Sequence, residues 1–243
     1  MRARTLAAAA FVVTSAALAA CSSDNVLGLG LAAGGTNTDS LSNARIRFVN
    51  ATASSFDVAS AGTVAAGNAS LGFGTASSCV STSATSPTIT VRVAGSASTV
   101  AGLATAYQSG VSYVVVAHPG TGGATQLTTI ADTFTPVSGQ IGLRAFNAGA
   151  AGTSYDVYVT TPSASLTTET PDFGAVTSGT ATSFLGVGTG SAQQVRITAA
   201  GSKVVLLDLG NVALAAGQNM TLVVAPPLPG STTPRAFLVS GCG

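Results

Sequence analysis

One histidine, two aspartates in matching settings and three cysteines are the side chains here that could carry chemistry. His118, in Ala-His-Pro-Gly at the end of an apolar run, would have to be the base of any Ser-His-Asp triad. No Gly-x-Ser-x-Gly elbow accompanies it, and serines are too frequent for a nearby one to carry weight. His118 is read as a turn residue. Asp57 and Asp156 each follow an aromatic residue and lie one per repeated segment, whereas a catalytic carboxylate pair needs a single cleft. They are read as turn partners of nearby backbone, or of Arg47 and Arg144. A metal site needs more ligands than one histidine and scattered cysteines supply. No catalytic, cofactor-binding or metal-binding residue is assigned.

The first of the cysteines has a different setting. Arg2 and Arg4 open the chain, and an apolar stretch from Leu6 to Leu18 follows. That stretch is shorter than the roughly twenty residues a membrane-spanning helix needs. It ends in Leu18-Ala19-Ala20-Cys21, which resembles the lipobox of bacterial lipoproteins. The resemblance implies cleavage after residue 20 and diacylation of Cys21. The alternative is an ordinary secretory signal followed by a chance cysteine. Two or three acyl chains anchor stably where one binds reversibly. By family analogy, Ser22 after the lipidated cysteine points to the outer membrane.

With Cys21 spent on lipid, Cys79 and Cys242 remain. An exported pair in an oxidising compartment suggests a disulfide, stapling the C-terminus to the first repeat; two separate thiols are the alternative. Beyond the signal the chain carries seven basic and eight acidic residues, all scattered. Phosphate-dominated binding needs clustered Lys and Arg, so nucleic acid is excluded as a partner.

Residues 21–43 read as the lipidated cysteine and a flexible tether, with an end-to-end distance of roughly 25 Å. From Ala44 the chain repeats itself. Phe56-Asp57-Val58 matches Tyr155-Asp156-Val157, and Gly74-Thr75-Ala76 matches Gly179-Thr180-Ala181. Val91-Arg92-Val93 is set against Val195-Arg196-Ile197, and Val114-Val115-Val116-Ala117 against Leu222-Val223-Val224-Ala225. Small residues and β-branched runs at about ten-residue spacing predict strands rather than helices. They are expected near 44–50, 55–60, 75–81, 87–94, 98–105, 111–117 and 125–132. In the second repeat they fall near 140–147, 154–160, 180–187, 193–199, 202–209, 218–225 and 235–240. The apolar runs Tyr113–Ala117 and Val204–Leu207 are expected to be central strands. The fold expectation is all-β: two tandem immunoglobulin-like β-sandwiches over 44–135 and 139–243, after a signal peptide over 1–20.

The Arg-x-x-Asn openings at Arg47–Asn50 and Arg144–Asn147, the strand Tyr155-Asp156-Val157-Tyr158-Val159 and the late Val-Val-Val-Ala strand resemble a bacterial domain-of-unknown-function family, 4397. That family occurs in exported and lipid-anchored proteins, often in tandem. Its members usually carry His where Asn50 and Asn147 stand, followed by a proline-rich turn missing here. The resemblance implies no activity. The expected function is a non-enzymatic structural or binding role in the bacterial envelope, lipid-anchored to a membrane, with an envelope protein or a glycan as partner. A carbohydrate- or polymer-binding module is the alternative and a hydrolase the third.

Overall fold

Along the strand Ser112–Pro119 the usual alternation of inward and outward side chains is absent, and Tyr113 through His118 are all buried. A strand buried on both faces reads as a continuous apolar run, because neither face meets water. Its neighbours explain the burial. The computed structural model describes residues 43–100, 103, 106–189, 191–212 and 214–242. Cys21, the expected signal at 1–20, the tether up to residue 42, and positions 101, 102, 104 and 105 of one expected strand lie outside the described residues.

The first half contains β1 (Asn43–Asn50), β2 (Phe56–Ser60), β3 (Thr63–Val64), β4 (Val80–Ser83), β5 (Ile89–Val93), β6 (Ser112–Pro119) and β7 (Thr125–Asp132). The second contains β8 (Gln140–Asn147), β9 (Ser154–Thr160), β10 (Phe173–Thr177), β11 (Leu185–Gly188), β12 (Gln193–Ala199), β13 (Val205–Val212), β14 (Asn219–Ala225) and β15 (Arg235–Ser240). The first half pairs its strands in the orders β4-β1-β6-β7 and β3-β2-β5. The second uses β11-β8-β14-β15 and β10-β9-β12-β13. In each half the opening strand runs parallel to the last but one, β1 beside β6 and β8 beside β14.

Each half is a sandwich closed by its own core. Ile46, Phe48, Phe56, Val58, Val91 and Val115 fill the first. Ile141, Leu143, Val157, Val195, Ile197 and Leu222 fill the second. A third cluster joins the remaining faces of the β4-β1-β6-β7 and β11-β8-β14-β15 sheets through Val49, Val114, Val116, Phe146, Val223 and Val239. The sheets therefore stack four deep. Full burial of such side chains stabilises by about 1.5–3 kcal/mol each, so the seam between the halves is an apolar core in its own right.

Several expectations need correction. The immunoglobulin plan pairs the first strand with the second, whereas here β1 and β2 lie in opposite sheets. Val204–Leu207 is not central. Val204 is 71% exposed, and β13 is the outer strand of its sheet. The segments expected at 75–81 and 180–187 begin as strands only at Val80 and Leu185, with single bridges at Ala76 and Ala181 before them. The strand expected over 98–105 is reduced, among the described residues, to a bridge between Thr99 and Arg92. The strand β10 was not expected. Its register shifts between Phe173 and Val176 around Ala175 (φ +48°), which erases the alternating pattern.

Candidate functional site

The matched aspartates do the same structural work in both halves. Asp57 accepts the backbone N–H of Ser70 at 2.7 Å and of Gly95 at 2.9 Å. Asp156 accepts those of Ala175 at 2.7 Å and Gly201 at 2.8 Å. Ser70 and Ala175 both sit at positive φ, a conformation that costs a residue with a side chain about 1 kcal/mol or more. The carboxylate holds that kink against a glycine turn. These donors keep Asp57 below the usual carboxylate range, the Ser70 N–H contributing most and the Gly95 N–H next. The backbone role expected of the pair is what the structure shows; the arginine alternative is not.

The matched asparagines close the adjoining loops. Asn50 donates to the carbonyls of Leu71 and Ser54 and accepts the Thr52 N–H at 2.8 Å. Asn147 donates to Val176 and Thr153 and accepts the Gly149 N–H at 2.8 Å. Gly74 and Gly179 donate to the backbone carbonyls of Asn50 and Asn147 respectively, at 2.8 and 2.7 Å.

These shared contacts fix which residues correspond. Gly95 answers to Gly201, so Val91 corresponds to Ile197 and Arg196 to Thr90, two places from the pairing expected for that motif. Val114 corresponds to Thr221 rather than Leu222, because each lies opposite the Arg of its half's opening strand. A one-residue slip moves every side chain to the other face. With the observed register, Val115 and Leu222 face the sandwich cores while Val116 and Val223 face the seam.

At the seam the arginines reach across. Arg47 donates to Ser240 of the second half. Arg144 donates to the Thr221 hydroxyl at 2.9 Å and to the Ala131 carbonyl of the first half at 2.6 Å. Its guanidinium carbon lies 4.4 Å from the centroid of the Phe184 ring. Arg144 is 2% exposed, and burial lowers its pKa to about 10, with Asp132 opposing the shift. Asp132 in turn is raised by burial and held by Asn219 at 2.7 Å. Its carboxylate lies against Gly241, where any Cβ would collide with it.

Cys79 and Cys242 are joined by a disulfide. Cys79 corresponds to Phe184, which stacks on Phe134 with centroids 5.4 Å apart. Equivalent places in the two halves are therefore held by a covalent bridge in one and by two stacked rings in the other. His118 is not a turn residue. It is a β6 residue, 2% exposed, and its ring lies edge-to-face against Phe146 across the seam at 5.4 Å. The Pro119 carbonyl, 3.1 Å from Nδ1, can only accept, so Nδ1 carries the proton and Nε2 accepts from the Thr128 hydroxyl at 2.8 Å. Among the described residues no carboxylate orients the imidazole. Among the described residues no three His, Cys, Asp or Glu side chains group as a metal site.

The family comparison fits this picture. Residues 44–158 match the model of DUF4397, a domain of unknown function. That stretch is similar to the family and consistent with a DUF4397-like protein. The DUF4397 match runs through the whole first half and on into β8 and β9, ending inside the second sandwich. No curated protein matches the chain. Beside the disulfide cysteine Cys79 lies a cleft of about 630 Å³, walled by Asn43, Arg45, Ser81, Thr82, Ser83 and Thr88. Hydroxyls dominate this wall, and among the described residues no aromatic ring lines it.

Sequence reasoning offered Arg47 and Arg144 only as alternative partners of the aspartates and did not place them at the seam. The available signal was an arginine inside a strand whose neighbours are apolar on both faces, as at Leu143-Arg144-Ala145-Phe146.

Proposed function

We propose that the protein is a lipid-anchored bacterial envelope protein whose β-sandwich body scaffolds or binds and does no catalysis. The supporting observation is how its polar side chains are spent. Asp57, Asp156, Arg47, Arg144, Asn50, Asn147 and His118 all engage backbone groups or hydroxyls of the fold itself. A catalytic constellation instead needs a nucleophile, a base and an orienting group around shared free space. The anchor rests on the Leu-Ala-Ala-Cys sequence ending at Cys21, and outer-membrane placement on Ser22. Among the described residues no helix is long and apolar enough to cross a membrane.

Metabolic labelling with a clickable fatty acid tests the anchor. The wild type should take up label and sediment with membranes, and Cys21→Ala should do neither. An unlabelled wild type sinks the anchoring claim. Turnover of an ester, glycoside or peptide that a point mutation abolishes would sink the non-enzymatic claim. A glycan-binding role is the second reading, favoured by the hydroxyl-lined cleft beside Cys79; silence across a glycan array counts against it.

A further inference from the structure

The two halves fill equivalent places at the seam differently. In the first, Phe73 precedes Gly74, and its ring centroid lies 3.4 Å from the Arg235 guanidinium carbon. Phe237 meets the same ring edge-to-face at 5.6 Å. Gly74 and Gly179 are equivalent, with φ of +73° and +75° and the same hydrogen bond to the asparagine carbonyl. Ser178 therefore stands where Phe73 would. The pairing of β6 with β7 and of β14 with β15 puts Gln126 in the place of Arg235 and Thr128 in that of Phe237. His118 takes over part of the space, its Cε1 approaching Gly179 as the Phe237 ring approaches Gly74. The ring of Phe73 has no counterpart. A cleft of about 270 Å³ lies there instead, lined by His118, Gln126, Thr153, Thr177, Ser178 and Gly179 among others.

This cleft has the size and polarity for one kind of guest. A cavity of about 150 Å³ already admits a benzene ring. None of the lining residues is Asp, Glu, Lys or Arg, and burial holds the imidazole of His118 below its ordinary pKa. A charged guest would lose its hydration with no partner to replace it. The amide and hydroxyl groups at the rim supply donors and acceptors to a polar substituent.

We propose that this cleft binds the uncharged aromatic ring of a phenol-like ligand, laid where the Phe73 ring lies in the other half. The inference goes beyond the envelope role and does not depend on the anchor.

Phenol titrated into the purified full-length chain, followed by NMR of the His118 ring protons, tests it. Expected are saturable shifts at one site per chain and at least tenfold weaker binding of cyclohexanol. Ser178→Phe, which puts the missing ring in place, should abolish saturation. Phe73→Ser, which opens the equivalent space, should give a second site. Unchanged His118 signals overturn the proposal, as do equal binding of cyclohexanol or undiminished binding by a folded Ser178→Phe protein. If Ser178→Phe does not fold, NOEs from phenol to His118 and Ser178 in the wild type decide. Their presence supports the site and their absence overturns it.

Discussion

Arg47 of β1 and Arg144 of β8 cross the seam in opposite directions, each donating through Nη1 to a carbonyl of the other half. The acceptors, Ser240 at 3.0 Å and Ala131 at 2.6 Å, are themselves equivalent positions. The chain thus binds its own repeat through a near two-fold contact, in the manner of an isologous dimer.

The two arginines differ in burial, so their removal should differ in cost. Arg144→Met strands the buried Thr221 hydroxyl, removes the donor to the Ala131 carbonyl and should destabilise by about 2–4 kcal/mol. Arg47 is half-buried, and water can replace it at Ser240, so Arg47→Met should cost about 1 kcal/mol. Urea midpoints of the two variants measure the difference. Equal losses would mean that the buried Thr221 hydroxyl is not what sets the cost.

The disulfide closes a loop spanning 163 residues, and loop entropy gives it an upper limit of about 5 kcal/mol. The third core holds the halves together without it. A Cys79→Ala, Cys242→Ala double variant should therefore keep its strand signal in circular dichroism and unfold at lower urea. Loss of strand signal in buffer alone would show that the apolar seam is insufficient.

The repeat was legible wherever a side chain binds its own neighbourhood. Asp57 with Asp156 and Gly74 with Gly179 mark local turns, and their spacing survives in the sequence. What lies across the seam left no such trace. The apolar runs at Val114–Val116 and Val204–Leu206 look alike in composition, yet the first is covered on both sides by its own half and the other, while the second is an exposed edge. Burial of a second face is a property of the partner surface, so the strand's own pattern does not encode it. The same reason hid His118, whose burial comes from Phe146 twenty-eight residues on. β10 was hidden by its own kink, because the left-handed residue Ala175 breaks period-two alternation at the place where Asp156 stabilises it.

That kink gives the third prediction. Asp156→Ala removes the acceptor of two backbone N–H groups and leaves Ala175 at positive φ without its counterweight. The loss should be about 2–3 kcal/mol. Adding Ala175→Gly, which relieves the backbone strain, should recover about 1 kcal/mol of it. Chemical denaturation of the single and double variants checks both, and no recovery would mean the kink is not what the carboxylate supports. In the first half the corresponding effect is pH-dependent. The folded pKa of Asp57 is depressed, so its contribution is complete above the unfolded value and is lost as pH falls through the folded one.

His118 sets the response nearer neutrality. Desolvation lowers its folded pKa, opposed by the Pro119 carbonyl. Between the folded and the unfolded values the unfolded chain binds more protons, so stability rises with pH across that window. The contribution is complete above the unfolded value of about 6.5 and declines as pH falls below it. Protonation would put a donor at Nε2 facing the Thr128 hydroxyl and a charge against the Phe146 ring. The urea midpoint should therefore fall as pH is lowered from 7.5 to 5.5. The chain has one histidine, so His118→Asn should flatten that response. Half-buried Asp132 is raised and gives a slope of the opposite sign, which the variant leaves in place. A wild-type midpoint that does not fall, or an undiminished slope in His118→Asn, would remove His118 as the cause.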